Sequence, residues 1–197
     1  MRDAARASRR EFLYAVRPHN PAAFGWRGAQ HGRVSNLLWD DVRNFFDPDL
    51  MGALPDLSVT GTSVEDWQAV FDLIRSSGWA WEYVEGGVAG ALPLAAEVLT
   101  RPADAETAAL RVRPAPGVLV IFWPMAAEEI DFDVDLRELQ GQEGVDVLCR
   151  LLAVVGRRLG KPVVMTAGGD CGNPVLGFDP TADRVVLMAD PQLVQLV

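Results

Sequence analysis

The stretch Glu128-Glu129-Ile130-Asp131-Phe132-Asp133-Val134-Asp135-Leu136-Arg137-Glu138 decides how the chain is read. Asp131, Asp133 and Asp135 alternate with Ile130, Phe132, Val134 and Leu136. In an extended strand successive side chains point to opposite faces. This spelling therefore puts three carboxylates on one face, about 7 Å apart, and four apolar residues on the other. A row of carboxylates attracts cations, basic partners or metal ions. The same pattern also marks a strand whose charged face is simply solvated.

Working outward, the strand Ile130–Leu136 leads into a helix through Val145, Leu148, Leu151, Leu152, Val155 and Leu159. Gly160 ends that helix, Pro162–Thr166 is a strand, and Gly168-Gly169 follows. An earlier segment repeats this order. Asp56–Thr60 is a strand, and Ser63 caps a helix with Asp66 at its third position. The helix runs through Trp67, Val70, Phe71 and Ile74 to Gly78, the strand Trp79–Val84 follows, and Gly86-Gly87 closes the segment. The two β-α-β units place their terminal glycines and their double glycines at one offset, 82 residues.

Between the units lie two strands, Ala109–Arg113 and Gly117–Trp123. After them a hairpin, Val175–Phe178 and Arg184–Met188, turns through Asp179-Pro180. Before them, Ser35 caps a helix across Leu37, Leu38, Trp39, Val42, Phe45 and Phe46, which Asp47-Pro48 stops. The sum is an α+β protein: a mainly antiparallel sheet with two principal helices on one face. Its order of elements resembles the β-α-β-β-β-β-α series of TBP-like and helix-grip folds. The resemblance concerns topology, which does not fix function.

At 197 residues, 49% of them hydrophobic, the chain can bury a proper core. Its longest apolar run, Val118–Ala127, is half a membrane span and contains Pro124. The N-terminus lacks the uninterrupted apolar core of a secretory signal, so the expected location is cytoplasmic. Cys149 and Cys171 make neither a disulfide framework nor a zinc motif and read as reduced thiols. The net charge of −9 is unevenly held. Residues 1–36 carry seven arginines against Asp3 and Glu11, a balance of +5, which leaves −14 for residues 37–197. A basic N-terminal arm thus precedes one acidic domain. Arg2–Val16 forms an amphipathic helix ended at Arg17-Pro18, and His19–Ser35 is irregular. Seventeen of the eighteen basic residues are arginine, a bias that points to a GC-rich bacterial genome. An acidic body repels phosphate backbones, which argues against nucleic acid. The arm's opposite charge and its apolar residues favour docking, in cis or across a homodimer.

Each candidate site has a competing plain explanation. Metal binding by the aspartate row needs oxygen ligands to converge, whereas neighbours on one strand face diverge. In the loop Thr166–Pro174, Asp170, Cys171 and Asn173 follow a strand among glycines that let backbone approach a ligand. Cys171 as a nucleophile lacks a nearby base, since His19 and His31 are both in the arm, and Asp170 beside it disfavours the thiolate. Trp79, Trp81 and Tyr83 share a strand face that suits a flat ligand, and equally suits packing beneath a helix. Arg111 and Arg113 share another and pair with the aspartates if the strands are neighbours. No serine-histidine-aspartate set, zinc motif or dinucleotide fingerprint stands out, and no cofactor or metal is called for.

The expectation is a non-enzymatic protein-binding module with Glu128, Glu129, Asp131, Asp133 and Asp135 facing a basic protein partner. In composition the chain is similar to small acidic bacterial immunity-type proteins. The alternative is a small-ligand-binding protein or metal-dependent enzyme. Its site would lie among the aspartates, the 166–174 loop and the Trp79, Trp81 and Tyr83 face.

Overall fold

The computed structural model describes residues 37–168 and 173–189. Nine strands among them form one sheet: β1 (Asp56–Thr60), β2 (Ala80–Glu85), β3 (Val88–Gly90), β4 (Ala108–Ala115), β5 (Val118–Ala126), β6 (Glu129–Val134), β7 (Val163–Thr166), β8 (Pro174–Asp179) and β9 (Arg184–Leu187). Every neighbouring pair is antiparallel, in the order β3-β2-β4-β5-β6-β1-β7-β8-β9. One apolar row crosses the sheet in register: Tyr83, Leu110, Phe122, Phe132, Leu57, Met165, Leu176 and Leu187. Phe122 and Phe132 stack with ring centroids 4.8 Å apart at its centre. Burying each such side chain is worth about 1.5–3 kcal/mol, so this row is a principal source of stability.

Two helices cover that face, α3 (Val64–Ser76) and α5 (Gly141–Leu159), packed on each other. α3 buries Trp67, Val70, Phe71 and Ile74, the stripe the 3.6-residue period demands. Its N-terminus carries the expected capping box, with the Ser63 hydroxyl accepting from Asp66 N and an Asp66 carboxylate oxygen accepting from Ser63 N. α5 ends at Gly160 in the left-handed conformation. A short helix, α4 (Ala95–Leu99), adds Ala95 and Val98 to the same core. The chain between β1 and α5 follows the expected β-α-β-β-β-β-α order, with β3 and α4 inserted between β2 and β4.

Both β-α-β units are present, and in each the two strands run parallel while standing apart. From β1 the chain crosses β6, β5 and β4 to reach β2; from β6 it crosses only β1 to reach β7. Their double glycines differ as well. Gly86 and Gly87 both have positive φ and close a two-residue hairpin between β2 and β3. Gly168 instead donates its N–H to Met51 O at 2.8 Å, and a Cβ there would sit 2.9 Å from Leu54 O. One spacing thus serves two different jobs.

The expected single helix over Leu37–Phe46 is broken. α1 (Trp39–Val42) passes into a 3-10 turn, Arg43–Phe46. Asp47-Pro48 then stops this segment and starts another, α2 (Pro48–Met51), with the Asp47 carboxylate accepting from Asp49 N. No side chain caps α1, whose N-cap position is Leu38, not Ser35. The helix expected over Arg2–Val16, the rest of the arm, Asp170 and Cys171 lie outside the described residues. Among the described residues, no helix is long and apolar enough to cross a membrane.

Candidate functional site

β6 lies inside the sheet, between β5 and β1, and its pleat orients the aspartates as the alternation demands. Ile130, Phe132, Val134 and Leu136 are buried in the helix-covered core, and Asp131 and Asp133 point to the other face. Their environments differ from a uniformly solvated row. Asp133 is buried and accepts a 2.7 Å hydrogen bond from the Trp123 indole N–H. Asp56 stands directly opposite it on β1, with Ile121 opposite on β5. Asp131 is half-buried, opposite Ser58 and Trp123. Asp135 has left the strand and caps the 3-10 turn Leu136–Glu138. It accepts from Arg137 N at 2.9 Å and holds the Arg137 guanidinium at 2.6 and 2.8 Å. A carboxylate so engaged anchors a turn, a role set by its position after the last ladder residue.

Glu128 is exposed on the turn from β5 to β6, and Glu129 is half-buried opposite Thr60. This turn is held firmly. Thr62 donates its hydroxyl to Ala127 O at 2.7 Å and its N–H to Glu128 O at 3.0 Å, and the Trp67 indole donates to Ala126 O at 2.8 Å. Lys161, the chain's single lysine, steadies the far side, with its ammonium 2.6 Å from Gly61 O and 2.8 Å from an Asp66 carboxylate oxygen.

The expected pairing of Arg111 and Arg113 with the aspartates assumed adjacent strands, and β5 separates β4 from β6. Arg111 instead faces Glu82 on β2, at 3.4 Å. Nor does the aromatic face join the 166–174 loop, because four strands, β4, β5, β6 and β1, stand between β2 and β7. Trp79 packs against the core, Tyr83 is buried within it, and Trp81 is 38% exposed near the sheet's edge. The Tyr83 hydroxyl donates to Glu85 at 2.9 Å, and Arg101 closes on Glu85 at 2.6 Å. Burial, and then the Glu85 carboxylate, push the Tyr83 hydroxyl up to about 12. The aspartate row does adjoin the loop, since Asp133, Asp56 and Thr166 stand in one cross-strand register. Asn173 is exposed where the loop enters β8. Among the described residues, no group of three or more histidine, cysteine, aspartate or glutamate side chains is placed to hold a metal ion.

Two residues matter here that the sequence marks only as the ends of strands, Asp56 at the start of one and Trp123 at the end of another. Asp56 becomes visible once β1 is known to pair with β6. Trp123 had a signal in the chain itself, because Val118–Trp123 is apolar at every position, the spelling of a strand buried on both faces. Glu138 is a third residue of interest. Its carboxylate accepts from Leu119 N at 2.8 Å, tying the 3-10 turn to β5, and desolvation raises its pKa from the ordinary glutamate value. No family model, no curated protein and no solved structure matches this chain.

Proposed function

We propose that the chain is a non-enzymatic protein-binding module that engages a basic partner through the acidic turn at Glu128, Glu129 and Asp131. The observation that carries this reading is the exposed Glu128 on a turn pinned by Thr62 and Trp67. A preformed anionic surface loses little conformational entropy on binding. The acidic body, −14 over residues 37–197, would steer a cationic partner to it, with association that slows as salt rises. Masking the basic active site of a toxin, as immunity-type proteins do, is the use we favour, in a bacterial cytoplasm. A homodimer joined through the N-terminal arm is compatible with it. Asp133 and Asp135 act as structural members of the row, held by Trp123 and Arg137.

The test compares wild type with Glu128→Gln/Glu129→Gln/Asp131→Asn in pull-downs from source-cell lysate, followed by kinetics on whatever basic protein is retained. Expected is a partner whose association rate falls with salt and falls again, roughly tenfold, in the triple variant. Equal rates for the two proteins at low salt would refute the reading. A second reading rests on the Asp133, Asp56 and Thr166 register beside the 166–174 loop, which suits a small cationic ligand or a divalent metal ion. A metal-dependent thermal shift abolished by Asp56→Asn would favour it.

A further inference from the structure

The sheet ends differently at its two edges. β9 buries Val185 and carries Arg184, whereas β3 is exposed at all three of its residues, with Val88 at 72%. Among the described residues no strand lies beyond β3. An open edge is a template for another strand, and natural edges are blunted by charged side chains or proline. The run Gly86-Gly87-Val88-Ala89-Gly90-Ala91 has neither. The shortness of β3 restrains indiscriminate pairing and still leaves room for one added segment.

The ladder shows which main-chain groups face that open side. Gly86 N donates to Thr107 O at 3.1 Å, just before β4. Along a strand the main-chain groups alternate in direction, so Val84 and Gly86 address β4 while Tyr83 and Glu85 address β3. Gly90 and Val88, their partners, therefore turn inward to β2, and Ala89 turns its N–H and C=O outward. Gly90 adds a second observation. Its φ is not positive, and a Cβ there would meet nothing within 4 Å among the described residues. Neither backbone conformation nor packing calls for glycine at this position, and glycine inside a strand weakens it. Such a glycine marks a place where another backbone approaches closely.

Charge selects the occupant. Glu106 lies over the hairpin, its Cγ 3.1 Å from where a Gly86 Cβ would stand, and the turn before it carries the exposed Asp104. Glu82 and Glu85 add half-exposed carboxylates along β2, against Arg111 and Arg101. A second copy would bring the same carboxylates to the same edge, and a net charge of −9 besides. A cationic segment meets opposite charge instead.

We propose that β3 is a docking edge for an extended basic segment of a partner protein, which joins the sheet as a further strand. Its main chain pairs with Ala89, its apolar side chains lie beside Val88, and its arginines or lysines face Glu85, Asp104 and Glu106. The inference goes beyond the acidic turn at Glu128, which joins β5 to β6, and stands without it.

Titrating the full-length, isotope-labelled protein at low salt with a short synthetic peptide that alternates arginine and valine tests it. Saturable amide shifts should centre on residues 88–91, and the Ala89 amide should exchange with solvent at least about tenfold more slowly. The same peptide with N-methylated backbone amides, or with glutamate in place of arginine, should bind at least about tenfold more weakly. Ala89→Pro should weaken binding as much, because proline is accepted at an edge position whose N–H faces outward. Asp104→Asn/Glu106→Gln should lower affinity and flatten its decline with salt. Absence of saturable shifts up to about 1 mM peptide would overturn the proposal. So would equal binding of the N-methylated peptide, or shifts centred on the Glu128 turn, which would mean charge attraction without strand addition. Slow Ala89 exchange that appears with rising protein concentration alone would mean a second copy on the edge, and would overturn it too. Should Ala89→Pro fail to fold by circular dichroism, the N-methylated peptide decides.

Discussion

Tyr83 places a hydroxyl in the core where only Glu85 receives it among the contacts of that side chain described above, and Arg101 in turn holds Glu85. The folded protein keeps the phenolic proton to about pH 12, while an unfolded chain releases it near 10. Between those values the folded state binds more protons than the unfolded one, so stability falls as pH rises through the window. Tyr83→Phe should flatten that alkaline decline, and the phenol titration near 12 should vanish from the ultraviolet spectrum. An unchanged slope of denaturant stability against pH in the variant would show that Tyr83 titrates normally. Trp123 and Asp133 make a second residue-scale case. Trp123→Phe keeps most of the buried surface but removes the indole N–H from a buried carboxylate, which should cost about 1–3 kcal/mol in urea unfolding. Trp123→Phe combined with Asp133→Asn should recover part of the loss, since a neutral side chain needs less compensation. The orientation of Asp131 and Asp133 was legible in the alternation of residues 130–136. The burial of Asp133 was not, because it depends on β6 lying inside the sheet, between β5 and β1.

At the scale of elements, α5 and β8 meet without room for another carbon. A Cβ at Gly156 would come 2.1 Å from Phe178 Cδ1, inside any allowed contact. Phe178 is itself buried and cannot swing into solvent. Gly156→Ala should therefore destabilise by about 1–3 kcal/mol, despite the better helix propensity of alanine. A stabilised variant in thermal unfolding would mean that the helix lifts off the sheet at no cost. Ser63→Ala should cost about 1 kcal/mol through loss of the capping box at α3, with little change in the slope of the urea transition. Local chemistry made these elements readable. Ser63 with Asp66, Gly160 after an apolar stripe, and alternation along β1 and β6 each announce one element from a few neighbouring residues. β3 and α4 stayed hidden because they are three and five residues long and carry weak periodicity. The break at Asp47-Pro48 was readable as a stop. Its second role as a start depends on Pro48 occupying the first helical position, where its missing N–H costs nothing.

Over the whole molecule, the order of strands was the part no local pattern could supply. β1 comes first among the described strands yet sits between β6 and β7, so Leu57 meets Phe132 and Met165 from chain far downstream. The β4-β5-β6 meander, by contrast, is joined by short turns and pairs neighbours in sequence. Closing a short loop costs less entropy than closing a long one, so the meander should form first and β1 should insert once β6 and α5 are in place. Folding kinetics can read this order. Val59, fully buried on β1, loses roughly two methylene equivalents on mutation to alanine, about 1.5 kcal/mol. If β1 docks late, Val59→Ala should leave the folding rate nearly unchanged and speed unfolding, with φ near 0. Phe122→Leu, at the centre of the meander, should slow folding, with φ of about 0.5 or more. The reverse pattern would place β1 and α3 in the folding nucleus. In that case the long crossover from β1 to β2 forms early, and the two β-α-β units, not the meander, organise the sheet.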